Sequence, residues 1–263
     1  MSRIVVYGAG GRAGVRVVAE AARRGHEVTA VVRDPDRYAH LSEVPVLGAE
    51  GPRVEGRGAE ARGAEARGAE ARGAEGPGAV GLRGGGVGDR RGRVRVVGGD
   101  VTDAASVAET AAGHGAAIQV AARLDMPSEE FYGAAARALA EGLGRAGVSR
   151  LVALGIGSLL EVSPGVRLID TPGFPAEARA FSLGHAVELA VLAESGLDWV
   201  VLAPPPVILD AEATGTGRYR FGDGRVPEQD PADPVFSYAD LAAALVDEVE
   251  RPRRHRAQVA VSY

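Results

Sequence analysis

Arg3-Ile4-Val5-Val6-Tyr7-Gly8-Ala9-Gly10-Gly11-Arg12-Ala13-Gly14 is the stretch that decides the fold. A short apolar run rich in β-branched residues, with no room for helical periodicity before the glycines, reads as a buried parallel strand. An amphipathic helix follows at once, with Val15, Val17, Val18, Ala21 and Ala22 on its apolar face. Glycines at 8, 11 and 14 permit a tight turn, let backbone approach a pyrophosphate and let helix and strand pack closely. The helix N-terminus meanwhile offers unpaired N–H groups to phosphate. The same string also parses as Gly8, Gly10 and Ala13 in the G-x-G-x-x-A spacing, so the subtype stays open. On either parsing, Gly8, Gly10, Gly11, Arg12, Ala13 and Gly14 are candidates for holding a dinucleotide.

Outward from this turn, Gly25 stops the helix and Glu27–Arg33 reads as the second strand. An acid at the end of that strand would hold the adenosine ribose hydroxyls, whereas an arginine accommodates a 2′-phosphate. The sequence supplies Arg33 and then Asp34, which points to NADP and leaves NAD open. Arg12, inside the glycine loop, is a second phosphate contact. Arg93–Gly99 gives a third strand, and Asp100 and Val101 at its end stand where an adenine ring sits in such a sheet. Thr102 or Asp103 then caps the next helix. Ala116–Ala122 is the fourth strand, and the small Ala121 and Ala122 suit close passage of a cofactor. A helix over Ser128–Ala146 and a fifth strand over Arg150–Ser158 complete an alternation that specifies a Rossmann-type doubly wound parallel sheet. Its ligands belong at the carboxyl ends of strands one, four and five.

One tract departs from this pattern. Gly-Ala-Glu-Ala-Arg repeats run through Gly58–Arg62, Gly63–Arg67 and Gly68–Arg72. Residues 48–92 are rich in Gly, Ala, Glu and Arg and poor in large apolar side chains, which predicts a disordered insertion in a surface connection. After a sixth strand over Trp199–Ala203, Pro204-Pro205-Pro206 forces an extended course. Arg218–Gly224 then suggests a small hairpin, Ser237 caps a helix to about Glu250, and Val259–Tyr263 reads as a last strand. The chain is thus expected to be one domain over 1–263, with 204–263 forming a small C-terminal lobe on the substrate side.

Composition narrows the chemistry. The 263 residues carry a net charge of -5, which suggests neither a nucleic-acid nor a membrane partner. There is no cysteine, so disulfides, thiolate nucleophiles and cysteine metal sites are excluded. All 30 basic residues are arginine, which removes lysine Schiff bases, a P-loop lysine and any Tyr-x-x-x-Lys pair. The five histidines are scattered without metal-ligand spacing, so no metal is expected. No secretory signal pattern is present, and a cytoplasmic setting with a monomer or homodimer is the expectation.

Several motifs together resemble a known group. Gly8–Gly14, Val32-Arg33-Asp34-Pro35, Gly99-Asp100-Val101-Thr102-Asp103 and Gly155-Ile156-Gly157-Ser158-Leu159 are similar to the atypical short-chain dehydrogenase/reductase superfamily. Pro164–Leu168, Asp170-Thr171-Pro172-Gly173-Phe174-Pro175, and Leu197-Asp198-Trp199 with Ala203-Pro204-Pro205 narrow the resemblance to its NAD(P)H-binding NADH-flavin reductases. These are relatives of biliverdin reductase B and of NmrA-like proteins. The resemblance implies a pocket for a small-molecule acceptor, FMN or another flavin, beside a bound NAD(P)H. Members generally lack the Tyr-x-x-x-Lys pair, and here Thr171 stands about where the tyrosine would fall. The expected function is therefore an NADPH-preferring oxidoreductase passing hydride to a flavin or similar planar ring, with a non-catalytic NAD(P)-binding redox sensor as the alternative. Ser158 and His185 are the catalytic candidates, and Phe174 is a candidate to stack on the acceptor.

Overall fold

The computed structural model describes residues 1–43, 92–206, 208–228 and 235–263. In chain order the elements begin β1 (Arg3–Tyr7), α1 (Arg12–Arg23), β2 (Glu27–Val32), β3 (Val94–Gly98), α2 (Ala104–Ala111), β4 (Ala116–Gln119), α3 (Ser128–Ala146) and β5 (Arg150–Leu154). They continue with β6 (Glu161–Ser163), β7 (Val166–Arg167), α4 (Ala176–Glu194), β8 (Asp198–Ala203), β9 (Ile208–Asp210), β10 (Arg220–Phe221), β11 (Val235–Ser237), α5 (Tyr238–Glu250) and β12 (Ala257–Ser262). Eight strands form the main sheet in the order β10-β12-β8-β5-β4-β1-β2-β3. All are parallel except β10, which runs antiparallel to β12. Strand order reverses at β1 and β4, so their carboxyl ends diverge and leave the crevice of a doubly wound fold.

β1 shows how the alternation of strand side chains builds two cores. Ile4 and Val6 face a cluster containing Val17 and Val18 of α1 and Leu241, Leu245 and Val246 of α5. Val5 and Tyr7 face the opposite cluster, with Phe131, Leu139 and Leu143 of α3 and Val107 of α2. The Tyr7 hydroxyl meets Thr110 Oγ at 3.1 Å, and burial pushes its pKa up to about 12. Helices thus cover both faces, and no helix among the described residues is long and apolar enough to cross a membrane.

Several elements are shorter than their sequence signals. β4 ends at Gln119 and β5 at Leu154, and a 3-10 turn over Gly157–Leu159 carries Ser158. After β2 the chain makes a 3-10 segment over Asp36–Glu43 rather than a full helix. The predicted insertion lies, apart from Gly92, outside the described residues. Gly92 itself donates its N–H to the Ala22 carbonyl (3.0 Å) where the chain rejoins the sheet.

The C-terminal lobe requires a correction. β12 enters the main sheet beside β8, and α5 packs on α1, so much of 204–263 belongs to the central layers. The reason is apolar surface: Val259, Ala260 and Val261 are buried, and α5 presents a continuous buried stripe that packs against α1 and β5. The Arg218–Gly224 hairpin is likewise replaced by β10, whose Arg220 and Phe221 pair with Ser262 and Val261. Only β9 and β11 form a small separate parallel pair.

Two polar ties hold this C-terminal part. Asp240 accepts from the backbone N–H groups of Thr216 (2.8 Å) and Gly217 (2.7 Å) and from the hydroxyls of Ser237 and Tyr263. Burial alone would raise its pKa, but these donors together hold it below the usual carboxylate value. Arg256, at φ 50°, reaches the other face and donates to the carbonyls of Ala193 (2.6 Å), Ser195 (2.7 Å) and Leu197 (3.0 Å) at the end of α4. Its planar fork takes up one carbonyl of the last helical turn and two of the residues that follow.

Candidate functional site

The carboxyl ends of the parallel strands enclose a cleft of about 860 Å³. Its first wall is the glycine turn. Gly8 sits at φ 79°, and a Cβ there would run into the backbone of Ala121. A Cβ on Gly14 would strike the Gly8 carbonyl, so this glycine sets the packing of α1 on β1 rather than lining the cleft. Gly11 is the N-cap of α1 and supplies no side-chain cap, so the first N–H groups of the helix face the cleft without a side-chain acceptor. A main-chain cradle of this form suits an anion, because the helix N-terminus carries partial positive charge.

The structure brings together every cofactor-site residue expected from sequence except Gly14: Gly8, Gly10, Gly11, Arg12, Ala13, Arg33, Asp34, Asp100, Val101, Ala121 and Ala122 all line the cleft. Among the described residues neither Arg12 nor Arg33 has a carboxylate partner. Arg123 is paired with Asp125 at 2.5 Å. Asp100 accepts from the N–H (2.9 Å) and hydroxyl (2.7 Å) of Thr102. Partial burial raises its pKa, yet these two bonds bring it below the ordinary value. Asp103, not Thr102, caps α2 by accepting from Ala105 N–H (3.0 Å).

Three features of this end escaped sequence reasoning. Tyr38 leans over the glycine turn, so that a Cβ on Gly10 would come within 2.5 Å of its ring. Arg37 also lines the cleft and lies 5.7 Å from the centre of that ring. Gln119, buried at the end of β4, both donates to the Ala121 carbonyl (3.3 Å) and accepts from its N–H (3.2 Å), fixing the backbone that closes on Gly8. No local signal marks these features, because their place in the cleft depends on how Tyr38 and Ala121 close on the glycine turn.

Beyond β5 the wall changes character. Gly157 is pressed against the backbone of Pro204–Pro206, where a Cβ would come within 2.5 Å of the Pro204 carbonyl. Ser158 is buried and donates to Ser182 Oγ (2.7 Å) on α4. His185, also on α4, is 4% exposed and its Nδ1 lies 2.9 Å from Glu188 Oε2, with Glu188 1% exposed. The His185 ring stacks on Tyr132 of α3 with centroids 3.9 Å apart, and Phe181 meets both rings edge-on. Burial, seconded by the charge of Glu188, drives the Tyr132 phenol far above its usual range, so it remains protonated. Phe174 lines the mouth, backed by the Arg179 guanidinium at 5.7 Å. Sequence singled out Ser158, His185 and Phe174; Tyr132 and Glu188 were silent because helical spacing alone makes them ordinary core positions.

A family model described as NAD(P)H-binding matches residues 87–252, from just before β3 through α5. The chain belongs to this NAD(P)H-binding family. The match leaves out the glycine turn, so the reading of that turn stands on its geometry. A Bacillus subtilis (strain 168) protein, YwnB, is 26% identical over 98% of this chain and 97% of its own length. A Burkholderia pseudomallei structure named as an exported protein superposes with TM-score 0.71 at 29% identity, covering both chains fully. A Bacteroides thetaiotaomicron structure named as an epimerase gives 0.70 at 25%, over all of this chain and 97% of that one. A Streptococcus pneumoniae structure named as an NADH-flavin reductase gives 0.69 at 21%, covering 99% of each, which is a likeness of fold. Family and fold together support a protein that binds NAD(P)H.

Proposed function

We propose that this member of the NAD(P)H-binding family is an NADPH-preferring reductase that acts on a planar acceptor, a flavin or a ring like it, without a Tyr-x-x-x-Lys pair. The observation that carries the reading is the division of one cleft: a glycine turn and arginines at one end, aromatic rings around His185 at the other. Gly8, Gly10, Gly11, Arg12 and Ala13 would hold the pyrophosphate, Arg33 and Asp34 the adenosine ribose, and Asp100 and Val101 the adenine. Ala121 and Ala122 would flank the passing dinucleotide. The residues fit such a group, since the cradle exists only while positions 8 and 10 lack a Cβ and the α1 N-terminus lacks a side-chain cap. Bound there, the dinucleotide supplies a hydride from its nicotinamide.

The chain's own residues do the rest. Pro204, Pro205, Phe174 and Phe181 would limit the water beside a bound acceptor. Glu188 fixes the His185 ring through Nδ1, which leaves the Nε2 edge to deliver a proton to a reduced acceptor. The missing Tyr-x-x-x-Lys pair weighs against epimerase or dehydratase chemistry. The test is NADPH and NADH consumption by purified protein with riboflavin, FMN, 2-methyl-1,4-naphthoquinone or no acceptor. Acceptor-dependent turnover that is faster with NADPH supports the reading. Absence of turnover with every acceptor, while calorimetry shows NADPH binding, would replace it with the redox-sensor alternative.

A further inference from the structure

The charged side chains of the cleft are all at one end. Arg12, Arg33, Asp34, Arg37, Asp100 and Arg123 extend from the loops after β1 to β4. Past β5 the described lining contains glycine, proline, serine, aliphatic and aromatic residues and no carboxylate or guanidinium; its titratable side chains are Tyr238 and His185, the latter engaged by Glu188. Two guanidiniums stand behind this lining, both turned to backbone carbonyls: Arg179 donates to Ile169 (2.6 Å) and lies over Phe174, and Arg16 donates to Arg12 (2.9 Å) and Ala211 and lies over Tyr238. A phosphate held against this lining would find no cation, with the Glu188 carboxylate behind the histidine.

From this we infer that the acceptor end takes an uncharged planar ring bearing ring carbonyls, a quinone above all, and discriminates against phosphate-bearing flavins. The inference rests on the reductase reading for its chemistry, though not for its binding preference. The ring would lie among Phe174, Phe181 and Tyr132, with Nε2–H of a protonated His185 as the hydrogen-bond donor to one of its carbonyls. The redox step balances: a quinone gains one hydride from the reduced nicotinamide and one proton by way of His185, giving a hydroquinone and the oxidised dinucleotide. Solvent then returns the proton to His185.

Riboflavin and FMN differ by a single phosphate and make the direct test. Fluorescence quenching of each flavin by the full-length protein, without NADPH, should show riboflavin binding at least tenfold more tightly than FMN. Ala178→Arg, which adds a cation at the lining of α4, should improve FMN binding at least fivefold and leave riboflavin unchanged. NADPH oxidation should be at least tenfold more efficient with 2-methyl-1,4-naphthoquinone than with FMN. FMN bound as tightly as riboflavin, or an Ala178→Arg protein indifferent to the phosphate, overturns the inference even if flavin turnover is brisk. A tenfold riboflavin preference without turnover of any acceptor would sustain the uncharged subsite and refute the reductase reading instead.

Discussion

The end of the cleft proposed to hold the dinucleotide is made largely of main chain, whereas the proposed acceptor end is shaped mainly by side chains. At the first, Gly8, Gly10 and the N-terminus of α1 present backbone to the space; a methyl group at 8 would strike the Ala121 backbone, and one at 10 would have to displace the Tyr38 ring. At the second, Phe174, Phe181, Tyr132 and His185 set the shape, and each is held by a neighbour that could be exchanged. One end is therefore fixed by the fold itself, and the other can be retuned one residue at a time. Such a division would let one nucleotide grip serve different acceptors on a single scaffold.

The sharpest way to break the comparison is Gly8→Val. The added Cβ meets the Ala121 backbone at a left-handed φ, which costs about 3 kcal/mol or more. NADPH affinity measured by fluorescence titration should drop roughly a hundredfold, a ratio of that size following from such a cost. His185→Asn should do the reverse: kcat with acceptor falls about a hundredfold, the lower range for lost proton transfer. NADPH affinity should stay within about twofold, since His185 lies in the wall beyond β5. A parallel loss of NADPH binding would show that the two ends are not separable.

Smaller effects sharpen the division. Arg33→Ala should weaken NADPH by about tenfold, as expected for one charge-assisted contact near 1.5 kcal/mol, and leave NADH unchanged. Equal losses for both nucleotides would remove Arg33 from the 2′-phosphate. Phe174→Ala should raise the acceptor KM about threefold to tenfold through lost stacking, with no change in nucleotide affinity. Asp240→Asn, remote from both ends, should alter neither ligand and change only acid stability. Because its folded pKa is depressed, Asp240 contributes stability above its unfolded value of 3.8 that is lost as pH falls below it. Melting curves from pH 5 to 2 should consequently be flatter for the variant than for the parent protein.

The parallel core and the nucleotide end were open to reading in the sequence because their rules are local. A β-branched run before Gly8, and glycines whose spacing serves a turn, carry their meaning within a dozen residues. The acceptor end was only half readable. Phe174 and His185 stood out as residue types, but Glu188 and Tyr132 acquire a role solely through the packing of α3 on α4, which no periodicity reports. The C-terminal residues misled for a related reason. Val259–Val261 signals a strand, yet nothing near it says that its partner is β8, more than fifty residues earlier in the chain.

Arg256 has a mechanical consequence. By forking onto the carbonyls at the end of α4, it moors that helix to the start of β12, while the other end of the helix begins at Pro175 beyond the turn at Gly173. Helix α4 is thus a lever clamped at its base, with His185 and Ser182 partway along it and Phe174 just past its tip. Width at the mouth can change with little strain at the clamp, so amide exchange along α4 should slow steadily from Glu177 toward Glu194, and Arg256→Ala should level that gradient.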